Sequence, residues 1–96
     1  MAQRNIVIHA KAYDSYRRKI AWYYLNCGVS YITTFDADIW RTFHVLASMP
    51  SIGKTIKHTS SRTYAEYVSH PLVLIRYWYN NEEIHIMDLI YTRKKR

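Results

Sequence analysis

The hydrophobic periodicity of this chain changes once, and that change limits the folds open to it. From residue 10 to residue 49, apolar side chains recur every three or four positions, which is the spacing of one face of an α-helix. From residue 62 to residue 91 the period becomes two, which is typical of β-strands with one buried face. The pattern therefore predicts an α+β fold whose helices cover one face of an antiparallel sheet.

Two helices are predicted in the first half. An apolar stripe runs along residues 10–26 and ends where Cys27 and Gly28 supply a stop signal. Ser30 is a candidate N-cap for the second helix, which ends before Pro50. The short connection implies an antiparallel helical hairpin. The stripe of the first helix comprises Tyr13, Tyr16, Ile20, Tyr23, Tyr24 and Cys27, and that of the second comprises Ile32, Phe35, Ile39, Phe43 and Leu46.

Four strands are predicted around this hairpin. Residues 5–9 form a short strand before the first helix, and residues 62–68, 72–79 and 83–91 form three strands after the second. Residues 51–61 lack periodicity, so we expect a loop there, with room for one short edge strand. The predicted order is β-α-α-β-β-β: an N-terminal strand, a helical hairpin and a three-stranded antiparallel sheet, within one domain spanning residues 1–96.

The last two strands can be registered from their turn. Asn80 and Asn81 tolerate left-handed backbone conformations and predict a two-residue hairpin turn. Pairing Tyr79 with Glu82 across that turn gives an apolar face that should pack on the helices. The further pairs on that face are Tyr77 with Ile84, Ile75 with Ile86 and Val73 with Asp88.

The opposite face of the same hairpin is the candidate working surface. It places Arg76 beside His85, with Tyr91 and Arg93 farther along. Metal-independent RNA cleavage needs a base, cations around the phosphorus and an acid, and these four residues supply such groups. A structural reading competes, in which Tyr91 is a strand-end aromatic residue and the basic tail is solvated charge.

Charge and aromatic content indicate a protein that binds an acidic partner. Fourteen Lys and Arg against seven Asp and Glu give a net charge of +7, and the densest basic block is residues 93–96. Nucleic acid, an acidic protein or an anionic membrane surface would each satisfy this charge. Ten tyrosines combine apolar area with a polar tip, which suits a surface that binds a partner.

Targeting and redox signals favour the cytoplasm. The single cysteine, Cys27, excludes an intramolecular disulfide framework and fits a reducing compartment. No apolar run approaches the roughly 18 residues that a membrane span needs, and the first eight residues lack a signal-peptide core. We therefore expect a cytoplasmic chain without a membrane partner.

The motif search predicts no cofactor and no metal site. Residues 51–55 end like a phosphate-binding loop, but Ser48 stands where that loop needs glycine. Asp36 and Asp38 lie two apart on a helix and project to different faces, which argues against a shared acid–base site. The histidines show no i, i+4 pair and no neighbouring cysteine, so a zinc site has little support. They are His9, His44, His58, His70 and His85.

Several segments resemble the ParE-like branch of the RelE/ParE toxin superfamily, over residues 6–96. Residues 46–53 are similar to the family's Leu-x-x-x-Pro-x-x-Gly helix exit, and residues 75–77 to its Tyr-Arg-Val strand. Residues 89–94 resemble its closing Val-Leu-His-x-Arg-Arg motif, although Tyr91 replaces the histidine. Arg62 resembles an arginine common before the second strand of ParE-like chains.

This resemblance implies the toxin of a bacterial type II toxin–antitoxin pair. Such a toxin would bind DNA gyrase and stall it on cleaved DNA, with no reaction catalysed by the toxin and no cofactor. A cognate antitoxin would wrap a disordered C-terminal segment across the hairpin and sheet. The residues that would serve these contacts are Arg62, Arg76, Tyr91, Arg93 and Lys94.

Two other functions remain open at this point. A RelE-like, ribosome-dependent mRNA endonuclease would use His85, Tyr91 and Arg93. Leu72 and Val73, however, occupy the strand start where RelE-like nucleases place a catalytic arginine. The third hypothesis is a plain nucleic-acid-binding module, which predicts strongly salt-dependent affinity for DNA or RNA.

Overall fold

Two helices lie between the first strand and a run of four further strands. The computed structural model of the chain describes residues 3–70 and 73–91. A 3₁₀ turn at Pro50–Ile52 connects the second helix to the second strand. The elements are β1 (Asn5–Ile8), α1 (Ala10–Asn26), α2 (Val29–Ser48), β2 (Lys54–His58), β3 (Thr63–His70), β4 (Val73–Tyr79) and β5 (Glu83–Tyr91).

The strands form one five-stranded mixed sheet in the order β1-β5-β4-β3-β2. The predicted α+β class is confirmed, but the predicted three-stranded antiparallel sheet is wrong. β1 joins the sheet by pairing parallel to β5, with Val7 opposite His85. β2 pairs antiparallel to β3 at the other edge, and all five of its residues are exposed. An edge strand without a buried face has no alternating apolar pattern to reveal it.

The helices form the predicted hairpin. α1 occupies the predicted residues, and Gly28, whose φ is +108°, makes the left-handed step between the two helices. The backbone N–H groups of Cys27 and Gly28 both donate to the carbonyl oxygen of Tyr23, which closes the helix end. Tyr16 stacks on Phe35 and Tyr23 stacks on Tyr31, so the two helices run antiparallel. None of the helices described at residues 3–70 is long and apolar enough to cross a membrane.

The core lies between the helices and one face of the sheet. From α2, Phe35, Ile39, Phe43 and Leu46 are buried, as their spacing predicts. The α1 stripe is only partly correct, because Tyr13, Tyr24 and Cys27 are exposed and Ala12 is buried instead. The sheet contributes Ala65, Val73, Ile75, Tyr77, Ile84, Ile86 and Leu89.

The β4–β5 hairpin is shifted relative to the predicted register. The Asn80 side-chain oxygen accepts hydrogen bonds from the N–H groups of Glu82 and Glu83, both at 2.8 Å, which makes the turn longer than two residues. Tyr79 therefore pairs with Ile84 rather than with Glu82. A β-bulge beside Arg76 and Tyr77 adds a further shift of one residue. Beyond the bulge, Leu89 takes the core position that the simple alternation assigned to Asp88.

Gly53 lies between the 3₁₀ turn that follows α2 and the first residue of β2. The fully buried Tyr77 donates a hydrogen bond of 2.6 Å to the carbonyl oxygen of Pro50. A Cβ at Gly53 would overlap the Tyr77 hydroxyl and lie 2.7 Å from the backbone oxygen of Glu66. The Pro-x-x-Gly exit at residues 50–53 therefore has a packing reason: it leaves room for one buried tyrosine.

Candidate interaction surfaces

The face of the sheet that points away from the helices, here called the outer sheet face, carries a three-layer stack. Trp78 on β4 lies against the ring of His85 on β5, with centroids 3.8 Å apart and nearly parallel planes. The guanidinium carbon of Arg62 lies 3.7 Å from the centroid of Trp78. Arg62 also donates a 3.3 Å hydrogen bond to the hydroxyl of Tyr64. The stack buries Trp78 and holds the Arg62 cation in one orientation.

His85 is held by hydrogen bonds as well as by stacking. Its Nε2 lies 2.9 Å from Oε1 of Glu83, two residues earlier on the same strand. Its Nδ1 lies 2.9 Å from Nε2 of His9, which follows β1. Because an ionised carboxylate only accepts, His85 donates from Nε2 and presents the lone pair of Nδ1 to the N–H of His9. When both rings are neutral, this arrangement corresponds to a proton on Nε2 of each.

Arg76 was expected to lie beside His85, but the structure separates the two by one cross-strand row. The bulge places it opposite Asp88, and its Nε donates a 2.8 Å hydrogen bond to Glu66 on β3. Asp88 in turn lies 3.4 Å from the ammonium of Lys11 on α1. Arg76 is half exposed, so its ion pair is screened by water and leaves the cation available to a partner.

Tyr91 lies on the helix side of the sheet, not beside His85. It packs against Phe35, and the ammonium of Lys19 lies 5.1 Å from its ring centroid. Burial, followed by repulsion from Tyr23 and Tyr16, raises the pKa of Tyr91 well above its usual range. The structure therefore does not bring His85 and Tyr91 together. Arg93 and Lys94 lie outside the described residues.

A groove between α1 and α2, here called the helix groove, is open to solvent on the other side of the molecule. Its volume is about 750 Å³ and its lining is mostly apolar. Tyr16 crosses its base, where the phenol donates a hydrogen bond to Asp36. Burial and this hydrogen bond raise the pKa of Tyr16. The walls include Arg17, Ile20, Tyr24, Leu25 and Ile32.

The far end of the helical hairpin, beyond the groove, leaves large apolar side chains exposed. Leu25 is 78% exposed and Val29 is 66% exposed. Trp22 is half exposed, with the Lys19 ammonium 4.7 Å from its ring centroid. Contiguous apolar patches of this kind mark interaction sites in globular proteins. Groove and hairpin end together therefore form a second candidate surface, rimmed by cations.

Among solved structures, the chain is similar to a chain of the "Chromosomal ParDE TA system from P. aeruginosa". The TM-score is 0.71 at 12% sequence identity, over 95% of this chain and 98% of that chain. The chain has a ParDE-like fold. The α+β fold class and the ParE-like resemblance noted from the sequence are thereby confirmed at the level of the fold, whereas the predicted three-stranded sheet is replaced by a mixed sheet of five strands. No protein-family model and no curated protein sequence matches the chain.

Within this ParDE-like fold, several residues of the two surfaces were not anticipated from sequence. His9 and Glu83 each contact one ring nitrogen of His85. His9 lies 76 positions before His85 in the chain, and the parallel pairing of β1 with β5 is what brings the two histidines together. Lys19 was also missed, although its place on the tyrosine-rich side of α1 was visible in the helical spacing. The helix groove depends on how the two helices pack against each other, which their individual patterns do not encode.

Proposed function

We propose that this chain is the toxin of a bacterial type II toxin–antitoxin system and that it acts in the cytoplasm by binding DNA gyrase. The ParDE-like fold, which spans 95% of the chain, is the observation that carries the proposal. The chain's net charge of +7 and its exposed aromatic and apolar side chains suit a protein that acts by binding a partner.

Binding is preferred over catalysis because the groups of the nuclease scheme are dispersed. His85 lies on the outer sheet face, whereas Tyr91 is packed against α2 on the helix side. A phenol whose pKa is raised by burial, and which faces away from the histidine, does not serve as the partner acid or base of that histidine. The mRNA endonuclease therefore lacks an assembled active site among the residues that the structure describes.

The helix groove supports the antitoxin part of the proposal. A disordered segment that folds into an amphipathic helix would bury its apolar side against Ile20 and Leu25. Acidic residues flanking that side would meet Arg17 and Arg18, both exposed on α1. The expected antitoxin segment is therefore acidic and amphipathic, and its binding would cover the exposed tyrosines.

The outer sheet face supports the target part of the proposal. Arg62 is oriented by Trp78 and by the hydroxyl of Tyr64, so little side-chain entropy remains to be lost when it binds an anionic group. Arg76 lies on the same face and is half exposed. Of the five residues predicted to contact a partner, the structure describes Arg62, Arg76 and Tyr91. The two arginines share the outer sheet face, whereas Tyr91 lies on the helix side.

A gyrase supercoiling assay with the purified chain tests the proposal. The wild type should reduce supercoiling and accumulate cleaved DNA, and a double Arg62→Glu, Arg76→Glu variant should lose at least 10-fold in potency. Arg41→Glu is the matched control, because Arg41 is an exposed arginine on α2 paired with Asp38. Unaltered gyrase together with cleaved mRNA in a ribosome assay would replace the proposal by the nuclease function.

A further inference from the structure

A small polar pocket lies where two turns meet at one end of the sheet. Thr63 at the start of β3 pairs with Tyr79 at the end of β4, so the turn before β3 and the turn after β4 lie side by side. The pocket between them, here called the turn pocket, has a volume of about 180 Å³. A water molecule takes about 30 Å³ in the liquid, so the turn pocket has room for an ion of several atoms. Its lining residues are His58, Thr59, Ser60, Ser61, Arg62, Thr63, Tyr79, Asn80 and Asn81.

The lining of the turn pocket is rich in hydrogen-bond donors. Each of its side chains carries an N–H or O–H group, and none is a carboxylate. Arg62 adds a cation whose orientation is held by Trp78 and by the hydroxyl of Tyr64. A phosphate group accepts several hydrogen bonds at once, and its bonds to guanidinium donors are stronger than those between neutral groups. The chemistry of the lining therefore favours a phosphate group as the ligand.

The groups that shape the turn pocket are distinct from those left for a ligand. The hydroxyl of Thr59 accepts from the backbone N–H three residues later, at 3.1 Å, and so closes the first turn. The side-chain oxygen of Asn80 closes the second turn. Within the described part of the chain, the hydroxyls of Ser60 and Ser61 and the side-chain amide of Asn81 donate to no other group, and all three residues are exposed. These rim donors can bind a ligand without the loss of an internal hydrogen bond.

The charges that border the turn pocket also favour an anion. Arg4 donates a 2.6 Å hydrogen bond from Nε to the carbonyl oxygen of Asn80, so a second guanidinium lies beside the lining. Two carboxylates follow the same turn. That of Glu83 is 2.9 Å from His85 on the outer sheet face, and that of Glu82 is exposed to solvent. Two guanidinium groups and one uncommitted carboxylate therefore lie close to the turn pocket.

We propose that the turn pocket binds a backbone phosphate of a nucleic-acid strand. The exposed rim leaves the pocket open, so a strand can enter it and continue past it on both sides. A chain with a net charge of +7 attracts a polyanion more strongly than a single ion. Hydroxyl, amide and guanidinium contacts to phosphate position a strand without reading its sequence. The site goes beyond the gyrase proposal and shares only Arg62 with it.

Fluorescence anisotropy of the full chain with a labelled oligothymidylate of about twelve nucleotides, in the absence of gyrase, tests this site. Asn81→Asp keeps the shape of an exposed side chain and places a carboxylate at the rim, so it should weaken binding at least about 5-fold. Asn26→Asp, the matched control, makes the same change in charge at an exposed position on α1 and should stay within about 2-fold of the wild type. Ser60→Asp should reproduce the effect of Asn81→Asp from the other turn, which keeps the test decisive if one turn fails to fold.

Nuclear magnetic resonance locates the contact and identifies its source. The backbone amide signals of Ser60, Ser61 and Asn81 should shift with oligothymidylate and should not shift with a methylphosphonate oligomer, whose backbone is uncharged. Inorganic phosphate should shift the same signals only at much higher concentration. Saturation of these shifts by inorganic phosphate at the concentration of oligonucleotide phosphate that suffices would assign the pocket to free phosphate and overturn the nucleic-acid proposal.

Equal weakening by Asn81→Asp and Asn26→Asp would also overturn it, because binding would then reflect the overall charge alone. The gyrase proposal stands or falls separately, since its test measures supercoiling and uses the Arg62 and Arg76 variant. Asn81→Asp that loses oligonucleotide affinity but still inhibits supercoiling would support both proposals and would place the turn pocket outside the gyrase contact.

Discussion

Replacing Gly53 with alanine is expected to cost the fold about 2–4 kcal/mol, most of it through one buried tyrosine. The backbone of Gly53 has φ −78° and ψ 170°, which any residue adopts, so the cost is steric. The added Cβ would overlap the hydroxyl of Tyr77 and would lie 2.7 Å from the carbonyl oxygen of Glu66. The second contact is with backbone and is not relieved by a rotamer change.

The magnitude follows from two effects on the Tyr77 site. Displacing the hydroxyl breaks its 2.6 Å hydrogen bond to Pro50 in the core, and a buried polar pair left unmade costs about 1–3 kcal/mol. Overpacking against Glu66 adds about 1–3 kcal/mol. Alanine lowers the entropy of the unfolded chain, which offsets about 0.4–1 kcal/mol. For a chain of this size the midpoint of thermal unfolding should fall by at least about 8 °C.

A double-mutant cycle with Tyr77→Phe measures how much of the destabilisation caused by Gly53→Ala arises from the Tyr77 hydroxyl. The single Tyr77→Phe variant should lose about 1–2 kcal/mol because the Pro50 carbonyl loses its donor. Removing the hydroxyl also removes the first overlap, so Gly53→Ala should cost about 1–2 kcal/mol less in the Tyr77→Phe background than in the wild type. Urea unfolding followed by circular dichroism measures all four proteins. Ser51→Ala, at an exposed position in the same turn, should stay within about 0.5 kcal/mol of wild type.

Strict additivity in this cycle would refute the packing argument. So would a Gly53→Ala variant within about 0.5 kcal/mol of the wild type, since either result means that the exit from α2 shifts without strain.

Three further predictions concern ionisation, the β4–β5 turn and the core. Burial raises the pKa of Tyr77 to about 12, above the value of about 10 in the unfolded chain. The protonated phenol therefore stabilises the fold fully below about pH 10, and this stabilisation is lost as the pH rises toward 12. In urea unfolding at a series of pH values, Tyr77→Phe should flatten this alkaline decline. Asn80→Ala removes the acceptor of two backbone N–H groups and should cost about 1–2 kcal/mol in urea unfolding, whereas Asn81→Ala, at an exposed neighbour, should cost less than half as much. Ile39→Ala should destabilise by about 2–5 kcal/mol on thermal unfolding, because Ile39 is almost fully buried under the sheet.

The sequence was informative where structure is local and much less so where it depends on pairing. The bounds of α1 and the buried positions of α2 follow from helical spacing and a glycine stop, which are short-range effects. The parallel pairing of β1 with β5 joins residues nearly eighty positions apart, and four residues carry too little pattern to choose a partner strand. β2 lies where the sequence left room for a short edge strand within the loop at residues 51–61, but its bounds could not be predicted because it buries nothing.

The error in the candidate site has one physical origin. Alternation along residues 83–91 treats the strand as regular, but the bulge opposite Arg76 and the longer turn at Asn80 move each later side chain. Tyr91 is consequently buried near Phe35, and Arg76 meets Asp88 instead of His85. A bulge has no fixed composition in a single sequence, so Arg62 and His85 were found while their true neighbours were not.

The most direct test of the toxin proposal is the order in which macromolecular synthesis stops after the chain is induced in a bacterial cell. Pulse labelling with thymidine and methionine separates the alternatives. A gyrase-binding toxin should halt thymidine incorporation first while methionine incorporation continues, and co-expression of an acidic antitoxin should restore both. Early loss of methionine incorporation with cleaved transcripts, or unaffected growth at confirmed expression, would contradict the account.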